Sequence, residues 1–365
     1  MKFRSERDLL VDALGAASRV VTTRLVGATS GILLSLTGNQ LVVTGTDLDL
    51  TARTTIEVVG IEDGATVVPA RLVVDAVRSL EPGAVTVEAH DETVEVSLGR
   101  ARFSLRTFPV ADYPKLPPVS GPLTSVAAFE LIQGLTQVVR AAATDDARPL
   151  LTGVLFTSNE GSLRLIATDS YRLAVRDVPG VAGFTASDLL VPARALHELQ
   201  RTANQLPADA EIAVALSDAE IGFIAGATSI ASRLIDGNYP SVLQLIPASY
   251  PNQLRVAKDT FLTSLRRARL LAKDSTSSVR LTVKDRTVEI RTQSHDAGDV
   301  EDNVDADFRG DEMTIAFNPS FLIDGVEAVP GDEVVLEMSD AVRPAMVHGV
   351  DDLAFRYLLM PVRVQ

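Results

Sequence analysis

The stretch Val68-Pro69-Ala70-Arg71-Leu72 recurs as Val191-Pro192-Ala193-Arg194, and a weaker copy follows at Asn318-Pro319-Ser320-Phe321-Leu322. The intervals are close to one third of the 365 residues. Two other anchors repeat in step: Leu80-Glu81-Pro82-Gly83 with Leu206-Pro207 and Val329-Pro330-Gly331, and Asp112-Tyr113-Pro114 with Asn238-Tyr239-Pro240. A fixed long period is typical of a duplicated structural unit. The sequence therefore predicts three copies of one unit.

Each copy shows the same order of local patterns, which is helix, strands, helix, strands. In the first copy, Leu9, Leu10, Ala13, Leu14 and Ala17 have helical spacing, and Ser5 is the expected N-cap. Alternating strands follow on both sides of a Gly38-Asn39 turn. Each Pro anchor is expected to start a second helix at its N1 position, over residues 70–80, 193–206 and 320–329. A strand set closes the copy, with Phe103 and Leu105 in its last strand. The fold class is therefore α+β, with two helices packed on antiparallel sheets in each copy.

Two Pro-rich stretches give the expected domain boundaries. Residues 117–122 and 247–251 have the composition of linkers. The sequence therefore predicts domains over residues 1–120, 121–248 and 249–365.

Composition excludes several classes of protein. The chain has 48 acidic and 34 basic side chains, a net charge of −14 and no Cys. Disulfides, thiolate metal sites and cysteine nucleophiles are therefore excluded, and a reducing compartment is favoured. The first residues lack a signal-peptide pattern, and no apolar run reaches the roughly 18 residues of a membrane span. We expect a cytoplasmic protein with no membrane partner.

Catalytic and metal-binding patterns are lacking. His90, His197, His295 and His348 are far apart, and each is interpreted as a solvated or turn residue. No phosphate-binding loop or nucleophile elbow occurs, and the acidic stretch 296–312 lacks the spacing of a calcium loop. Asp47 and Asp169 occupy equivalent positions in two copies, which favours turn formation over catalysis. We therefore expect no catalytic residue, metal or cofactor, with a hydrolase that uses the acidic stretch as a minor alternative.

The predicted helices carry more basic than acidic residues, against the trend of the whole chain. These could be ordinary solvated faces or a layer that faces phosphates. Six helices at ~9 Å spacing around a hole leave only ~7 Å clear, whereas twelve leave ~24 Å, which is enough for a duplex roughly 20 Å across. A head-to-tail dimer forming a closed ring would therefore have the right size.

The chain resembles a known family, the bacterial DNA polymerase III beta subunits or sliding clamps. The resemblance covers the whole chain and depends on motifs in order: Thr46-Asp47-Leu48, Val68-Pro69-Ala70-Arg71, Phe103-Ser104-Leu105, residues 148–155, residues 167–174, Asp236-Gly237-Asn238-Tyr239-Pro240 and residues 357–364. It implies three clamp domains in a ring-shaped homodimer that encircles double-stranded DNA without sequence preference. It also implies a clamp loader, and a replicative polymerase and other proteins that bind through linear motifs. A ring that is held by linkage needs only a weakly basic lining, which fits the net charge.

The resemblance implies DNA contacts at Arg24, Arg71, Arg148 and Arg194. Helix charge adds Arg78, Arg201, Arg266, Arg267, Arg269 and Lys273 as our own prediction. Pro149-Leu150 stands where some relatives carry aromatic residues, so base stacking by that loop is open.

The resemblance also implies a pocket for a short motif that contains Leu and Phe. Its matching positions are Leu155, Thr168, Ser170, Tyr171, Arg172, Leu173, Pro240, Val242, Leu245, Val342, Pro344, Leu358, Met360, Pro361, Val362 and Arg363. Aliphatic and Met walls suit an apolar anchor, and Arg172 and Arg363 are expected to form a polar rim. Core packing at a domain junction is the other interpretation of Leu155 and Leu358. Ser170-Tyr171 stands where Gly-His is common.

The dimer interface maps by resemblance to Phe103 and Leu105 of one copy against Leu270 and Leu271 of the other. The alternative is a monomeric peptide-binding scaffold with the same repeats, whose helices never enclose DNA. The mass of the protein in solution distinguishes the two.

Overall fold

The computed structural model describes residues 1–22, 26–116, 121–145, 147–179, 181, 188–217, 219–272, 278–294 and 298–363. Within them, each repeat begins with a strand and a helix, continues with strands and a second helix, and closes with three strands. The three-copy organisation is therefore confirmed.

The elements of the first repeat are β1 (Lys2–Glu6), α1 (Arg7–Val20), β2 (Gly31–Thr37), β3 (Gln40–Thr46), β4 (Leu50–Glu57), β5 (Val59–Glu62), β6 (Gly64–Pro69), α2 (Ala70–Ser79), β7 (Ala84–Ala89), β8 (Thr93–Leu98) and β9 (Ala101–Arg106). Those of the second are β10 (Leu123–Ala127), α3 (Ala128–Val138), β11 (Gly153–Asn159), β12 (Ser162–Thr168), β13 (Arg172–Val178), β14 (Leu189–Pro192), α4 (Ala193–Ala203), β15 (Glu211–Leu216), β16 (Glu220–Ala225) and β17 (Thr228–Arg233). Those of the third are β18 (Asn252–Ala257), α5 (Lys258–Arg269), β19 (Val279–Lys284), β20 (Thr287–Ser294), β21 (Gly298–Arg309), β22 (Met313–Phe317), α6 (Pro319–Ala328), β23 (Glu333–Met338), β24 (Ala345–Gly349) and β25 (Phe355–Leu359).

The helix starts differ in detail from the prediction. Ser5 is buried in β1 and does not cap α1, which follows Glu6. Sequence analysis missed this strand because a five-residue strand that leads directly into a helix has little periodicity of its own. Pro319 is the first residue of α6, with the Asn318 side chain as its cap, but Pro69 precedes α2 as its N-cap residue.

The chain forms two compact units. The first unit comprises Met1–Phe129 and Arg194–Leu234, and the second comprises Glu130–Ala193 and Ile235–Gln365. The first contains a five-stranded sheet, β5-β1-β7-β8-β9, and an eight-stranded sheet, β10-β15-β16-β17-β4-β3-β2-β6. The second contains a twelve-stranded sheet, β14-β11-β12-β13-β25-β24-β23-β18-β21-β20-β19-β22. The middle repeat contributes to both units, and the predicted three-domain boundaries stay a prediction.

Two strand pairings join neighbouring repeats. In the first unit β17 pairs with β4, and in the second β25 pairs with β13, both antiparallel. We call these the first and second junctions. In the first unit α1 packs against α2, β3 and β4, and Leu10, Leu14 and Ala17 lie in the core as predicted.

Among the described residues, no helix is both long and apolar enough to cross a membrane.

Candidate functional site

A tight turn over residues 168–172 builds the rim of the predicted pocket. The Thr168 hydroxyl donates to the Arg172 carbonyl at 2.6 Å and accepts from the backbone N–H of Ser170 at 3.1 Å. The Asp169 carboxylate accepts from the N–H groups of Tyr171 (2.9 Å) and Arg172 (3.0 Å). Ser170 has a φ of 78°, a left-handed conformation that favours glycine. This explains in physical terms why Gly suits this position.

Arg172 belongs to the turn at the rim, but its side chain is held in ion pairs. Its side chain is 10% exposed, and its guanidinium binds the carboxylates of Asp169 at 2.9 Å and Asp324 at 2.6 Å. Burial disfavours its charged form, but the Tyr357 hydroxyl and the two carboxylates outweigh burial and raise the pKa of Arg172. The guanidinium also lies 4.3 Å from the centre of the Phe321 ring. Arg172 therefore holds the turn against α6 and β25.

An apolar cluster lies beneath this turn in the second unit. Its buried members are Leu155, Ile166, Leu173, Val175, Leu190, Val242, Met346 and Leu358. Leu150, Ile235, Tyr239, Ile246 and Tyr250 pack against it. We call this set the pocket cluster. Four predicted pocket residues, Leu155, Leu173, Val242 and Leu358, are thus brought together.

The turn and β25 border the cluster with exposed apolar groups. The Tyr171 carbonyl accepts from the N–H of Met360 at 2.9 Å, and both side chains are exposed. The Tyr171 and Phe321 rings stack with centroids 6.4 Å apart. An aromatic ring and a thioether at the edge of an aliphatic cluster can adapt to an apolar ligand group.

The other predicted pocket residues lie on three segments of the second unit. The N–H of Val242 donates to the Pro240 carbonyl at 2.8 Å, and Leu245 follows in a short 3-10 helix with an exposed side chain. Val342 is exposed and Pro344 is half-buried in the loop before β24. Pro361 and Val362 are half-buried and Arg363 is exposed after β25.

Sequence analysis missed several members of the cluster. Val175 is two residues after Leu173 on the same face of β13, so strand alternation could have identified it. Met346 becomes part of the cluster through its pairing with Leu358, which only the three-dimensional strand order reveals. Tyr239 belongs to two sequence motifs that give it no role in the pocket, yet its hydroxyl accepts from the N–H of Thr168 at 3.0 Å. Burial raises the pKa of Tyr239.

The first repeat contains the same turn over residues 46–50. The Thr46 hydroxyl contacts the Leu50 carbonyl at 3.2 Å, and the Asp47 carboxylate accepts from the N–H groups of Asp49 (3.2 Å) and Leu50 (2.7 Å). Leu48 has a φ of 82°, close to that of Ser170. The interpretation of Asp47 and Asp169 as turn formers is confirmed.

The predicted DNA-contacting arginines fall into two groups, and Arg24 and Lys273 lie outside the described residues. Four are exposed, with no ion pair to a described carboxylate: Arg71, Arg78, Arg148 and Arg269. Four pair with carboxylates: Arg194 with Asp47, Arg201 with Glu198, Arg266 with Glu327 and Arg267 with Asp302. Although burial opposes ionisation of Glu327, hydrogen bonds from Arg266 and Arg140 hold the pKa of that carboxyl below its ordinary value. Part of the helical positive charge is therefore neutralised within the protein.

Of the four predicted interface residues, Leu270 is exposed and the other three are half-buried. Phe103 and Leu105 are on β9, an edge strand of the five-stranded sheet, and pack partly against the core of the first unit. Leu270 follows α5 and is 69% exposed, and Leu271 is half-buried. The helix α5 packs against β20 and β21, so Leu270 lies near that part of the twelve-stranded sheet.

Among the described histidines, one differs from its prediction, and His295 lies outside the described residues. His348 is buried in β24 rather than solvated, and its Nδ1 lies 2.7 Å from the Gly349 carbonyl. It is buried because β24 lies between two strands of the twelve-stranded sheet, β23 and β25.

Three family models match the chain in order. They describe the N-terminal, central and C-terminal domains of the DNA polymerase III beta subunit and match residues 1–117, 125–241 and 243–363.

Individual relatives cover the whole chain. The beta sliding clamp of Streptomyces coelicolor is 32% identical over 100% of both chains. Among solved structures, a sliding clamp from Bartonella birtlesii bound to griselimycin superposes with a TM-score of 0.92 at 29% identity over 100% of both chains. The DNA polymerase sliding clamp of Bacillus subtilis has a TM-score of 0.89 at 28% identity, with the same coverage.

Proposed function

The chain belongs to the DNA polymerase III beta subunit family, the bacterial beta sliding clamps, and from this premise we propose that two copies pair head to tail into a ring around duplex DNA. The chain is a DNA sliding clamp. In this proposal a clamp loader opens the ring in the cytoplasm, and the ring tethers the replicative polymerase and other motif-bearing proteins. It acts by linkage, without a catalytic site or cofactor of its own.

The repeated junction is the observation that carries the dimer. In both junctions the last strand of one repeat pairs with the strand that follows the tight turn of the preceding repeat. The registers also match, because Ser232 faces Leu50 in the first junction and Leu359 faces Arg172 in the second. Two strands are left without such a partner among the described residues: β9, and β21 along residues 298–305, which pairs only with β20 there. A second copy of the chain supplies the missing pairing.

The repeat register predicts which residues meet across the dimer. Thr46 and Gln293 occupy equivalent positions in β3 and β20, so their partners Thr51 and Asp299 correspond. Thr51 faces Ala231, whose equivalent after the β8–β9 turn is Ser104.

Ser104 should therefore face Asp299 of the second copy, with Phe103 opposite Val300 and Arg102 opposite Glu301. Apolar and opposite-charge cross-strand pairs each add about 0.2–1 kcal/mol. In this proposal, the acidic residues of β21 take part in dimer assembly.

A charge exchange tests this register. Glu301→Arg should weaken the dimer, because two arginines then face each other at both interfaces and replace two favourable pairs of about 0.2–1 kcal/mol each. Combining it with Arg102→Glu should restore the dimer, and Glu312→Arg, at an exposed site outside the pairing, is the matched control. Size-exclusion chromatography with light scattering measures the mass against 38.9 kDa for one chain. A wild-type monomer at micromolar concentration would favour the peptide-binding scaffold instead.

Topological linkage needs its own experiment. The clamp should be retained on nicked circular DNA after loading and should be released when the circle is cut. Retention on linear DNA with free ends would contradict linkage.

We also propose that the pocket cluster with Tyr171 and Met360 binds the Leu- and Phe-containing motif of partner proteins. The support is an aliphatic cluster bordered by exposed apolar side chains. Removing the chain from Met360 onward should abolish binding of a motif peptide and leave the dimer intact. Unchanged peptide affinity would place the motif elsewhere.

A further inference from the structure

Arg148 has an uncommon partner for an exposed arginine. Its Nη1 donates to the Ser170 hydroxyl at 2.8 Å, and it forms no ion pair with a described carboxylate. Ser170 itself belongs to the turn that rims the pocket. The two residues thus connect a loop that the family resemblance assigns to DNA with the rim of the pocket.

The backbone around Arg148 is fixed by its neighbours. Leu150 packs against the pocket cluster, and its Cδ2 would lie 2.7 Å from a Cβ atom placed on Gly237. The N–H of Leu151 donates to the Arg148 carbonyl at 2.9 Å. Because the backbone is anchored on the cluster, Arg148 can change its contacts only by moving its side chain. Leu150 therefore points to the cluster.

We propose that Ser170 is a latch that holds the Arg148 guanidinium at the pocket rim and thereby weakens the contact of Arg148 with DNA phosphate. The inference rests on the proposed function, because it assumes that Arg148 faces DNA in the assembled ring. A phosphate binds a guanidinium through two charge-assisted hydrogen bonds, which are stronger than one bond to a neutral hydroxyl. DNA phosphate can therefore displace the Ser170 hydroxyl from Arg148, at the cost of the hydrogen bond between them. The latch positions Arg148 and weakens its contact with DNA, but it does not prevent that contact.

Substitution of Ser170 separates the hydroxyl from the backbone. Ser170→Ala removes the hydroxyl and leaves the same left-handed strain, whereas Ser170→Gly removes both. Both should bind a primed duplex about threefold more tightly than the wild type. Because DNA displaces the Ser170 hydroxyl in the wild type, Arg148 already makes its phosphate contact in the complex. The slope of log affinity against log salt should therefore stay at the wild-type value in both variants, whereas Arg148→Ala should make it shallower by about 0.9.

The experiment uses the full-length dimer and a fluorescently labelled primed duplex, with affinity measured over a series of KCl concentrations. Arg148→Ala should weaken binding, and Ser170→Ala should have no further effect in that background. Arg286→Ala, at an exposed turn in the third repeat, controls for loss of one positive charge. If Ser170→Ala matches the wild type while Arg148→Ala weakens binding, the latch is refuted. If the wild type binds no duplex at any salt concentration, the proposed function fails instead.

Discussion

The two junctions have the same backbone pairing, but their side chains differ in polarity. Thr51 and Arg53 in the first junction occupy the positions of Leu173 and Val175 in the second. Arg53 donates to the Leu116 carbonyl at 2.7 Å. Leu116 is the equivalent of Val242 in the repeat, so Arg53 lies where the second junction has the contact of Val242 with the pocket cluster. The duplicated fold therefore supplies two equivalent locations, and a few side chains decide that the second carries the aliphatic pocket cluster where the first carries Thr51 and Arg53.

The tyrosines show the same contrast at a smaller scale. Tyr113 donates its hydroxyl to the Thr44 carbonyl at 3.0 Å, whereas Tyr239, at the equivalent position, accepts from the Thr168 N–H. Thr44 is replaced by Ile166 in the second junction, which adds a buried aliphatic group to the pocket cluster. Polar side chains therefore occupy this location in the first junction, and aliphatic side chains occupy it in the second.

The largest effect is expected when the arginine of the first junction is placed in the second. Val175 is fully buried, so Val175→Arg forces a charge into an apolar site or opens the cluster. We expect the free energy of unfolding to fall by about 3–5 kcal/mol and binding of a motif peptide to be lost. Urea unfolding and fluorescence anisotropy measure the two effects.

The reciprocal change, Arg53→Val, is the control for that experiment. It should leave peptide affinity at the second junction unchanged. If Val175→Arg keeps wild-type peptide affinity, the cluster is not the binding site.

The ion pairs of the two turns should differ in strength. Asp169 and Arg172 are both largely buried, whereas Asp47 pairs with Arg194, whose side chain is half exposed. Arg172→Ala leaves Asp169 and Asp324 without their partner, and it should cost about 2–3 kcal/mol. Arg194→Ala should cost less, about 1 kcal/mol, because water reaches the half-exposed Arg194 and the Asp47 carboxylate, although only 8% exposed, keeps the N–H groups of Asp49 and Leu50. Equal losses in denaturant unfolding would show that the exposure difference is unimportant.

Much of the repeat organisation could be predicted from sequence because Pro69, Pro192 and Pro319 mark equivalent helix starts. The apolar alternation likewise located β2, β3, β11 and β12. The pocket was harder to predict because its members come from distant segments: Val175, Leu190 and Met346 meet only through strand pairing. The buried state of Arg172 depends on Asp324, 152 residues away, and local sequence contains no signal for such a contact.

Alkaline pH should act alike on the two equivalent tyrosines, Tyr113 and Tyr239, while Tyr357, whose pKa burial also raises, adds to the loss in the second junction alone. Burial raises the pKa of both Tyr113 and Tyr239, whereas in the unfolded chain tyrosine ionises near pH 10. Stability is therefore complete below about pH 10 and falls as pH rises, by up to about 1.4 kcal/mol per pH unit for each tyrosine. Tyr113→Phe and Tyr239→Phe should each reduce that slope by a similar amount in urea unfolding at pH 9 to 11. A slope that neither substitution changes would assign the alkaline loss to other groups.

The smallest expected difference concerns the two left-handed residues, Leu48 and Ser170. A non-glycine residue in this conformation costs about 1–2 kcal/mol, and glycine removes that cost but loses more entropy on folding. Leu48→Gly and Ser170→Gly should therefore each raise the free energy of unfolding by about 0.5 kcal/mol. Because the turns share their hydrogen bonds, the two gains should agree, apart from the loss of the Arg148 contact at Ser170. If Leu48→Gly stabilises the protein while Ser170→Gly destabilises it, the Arg148–Ser170 hydrogen bond contributes more to folding than the backbone strain at Ser170 costs. The two turns would then be equivalent in backbone conformation but not in side-chain energetics.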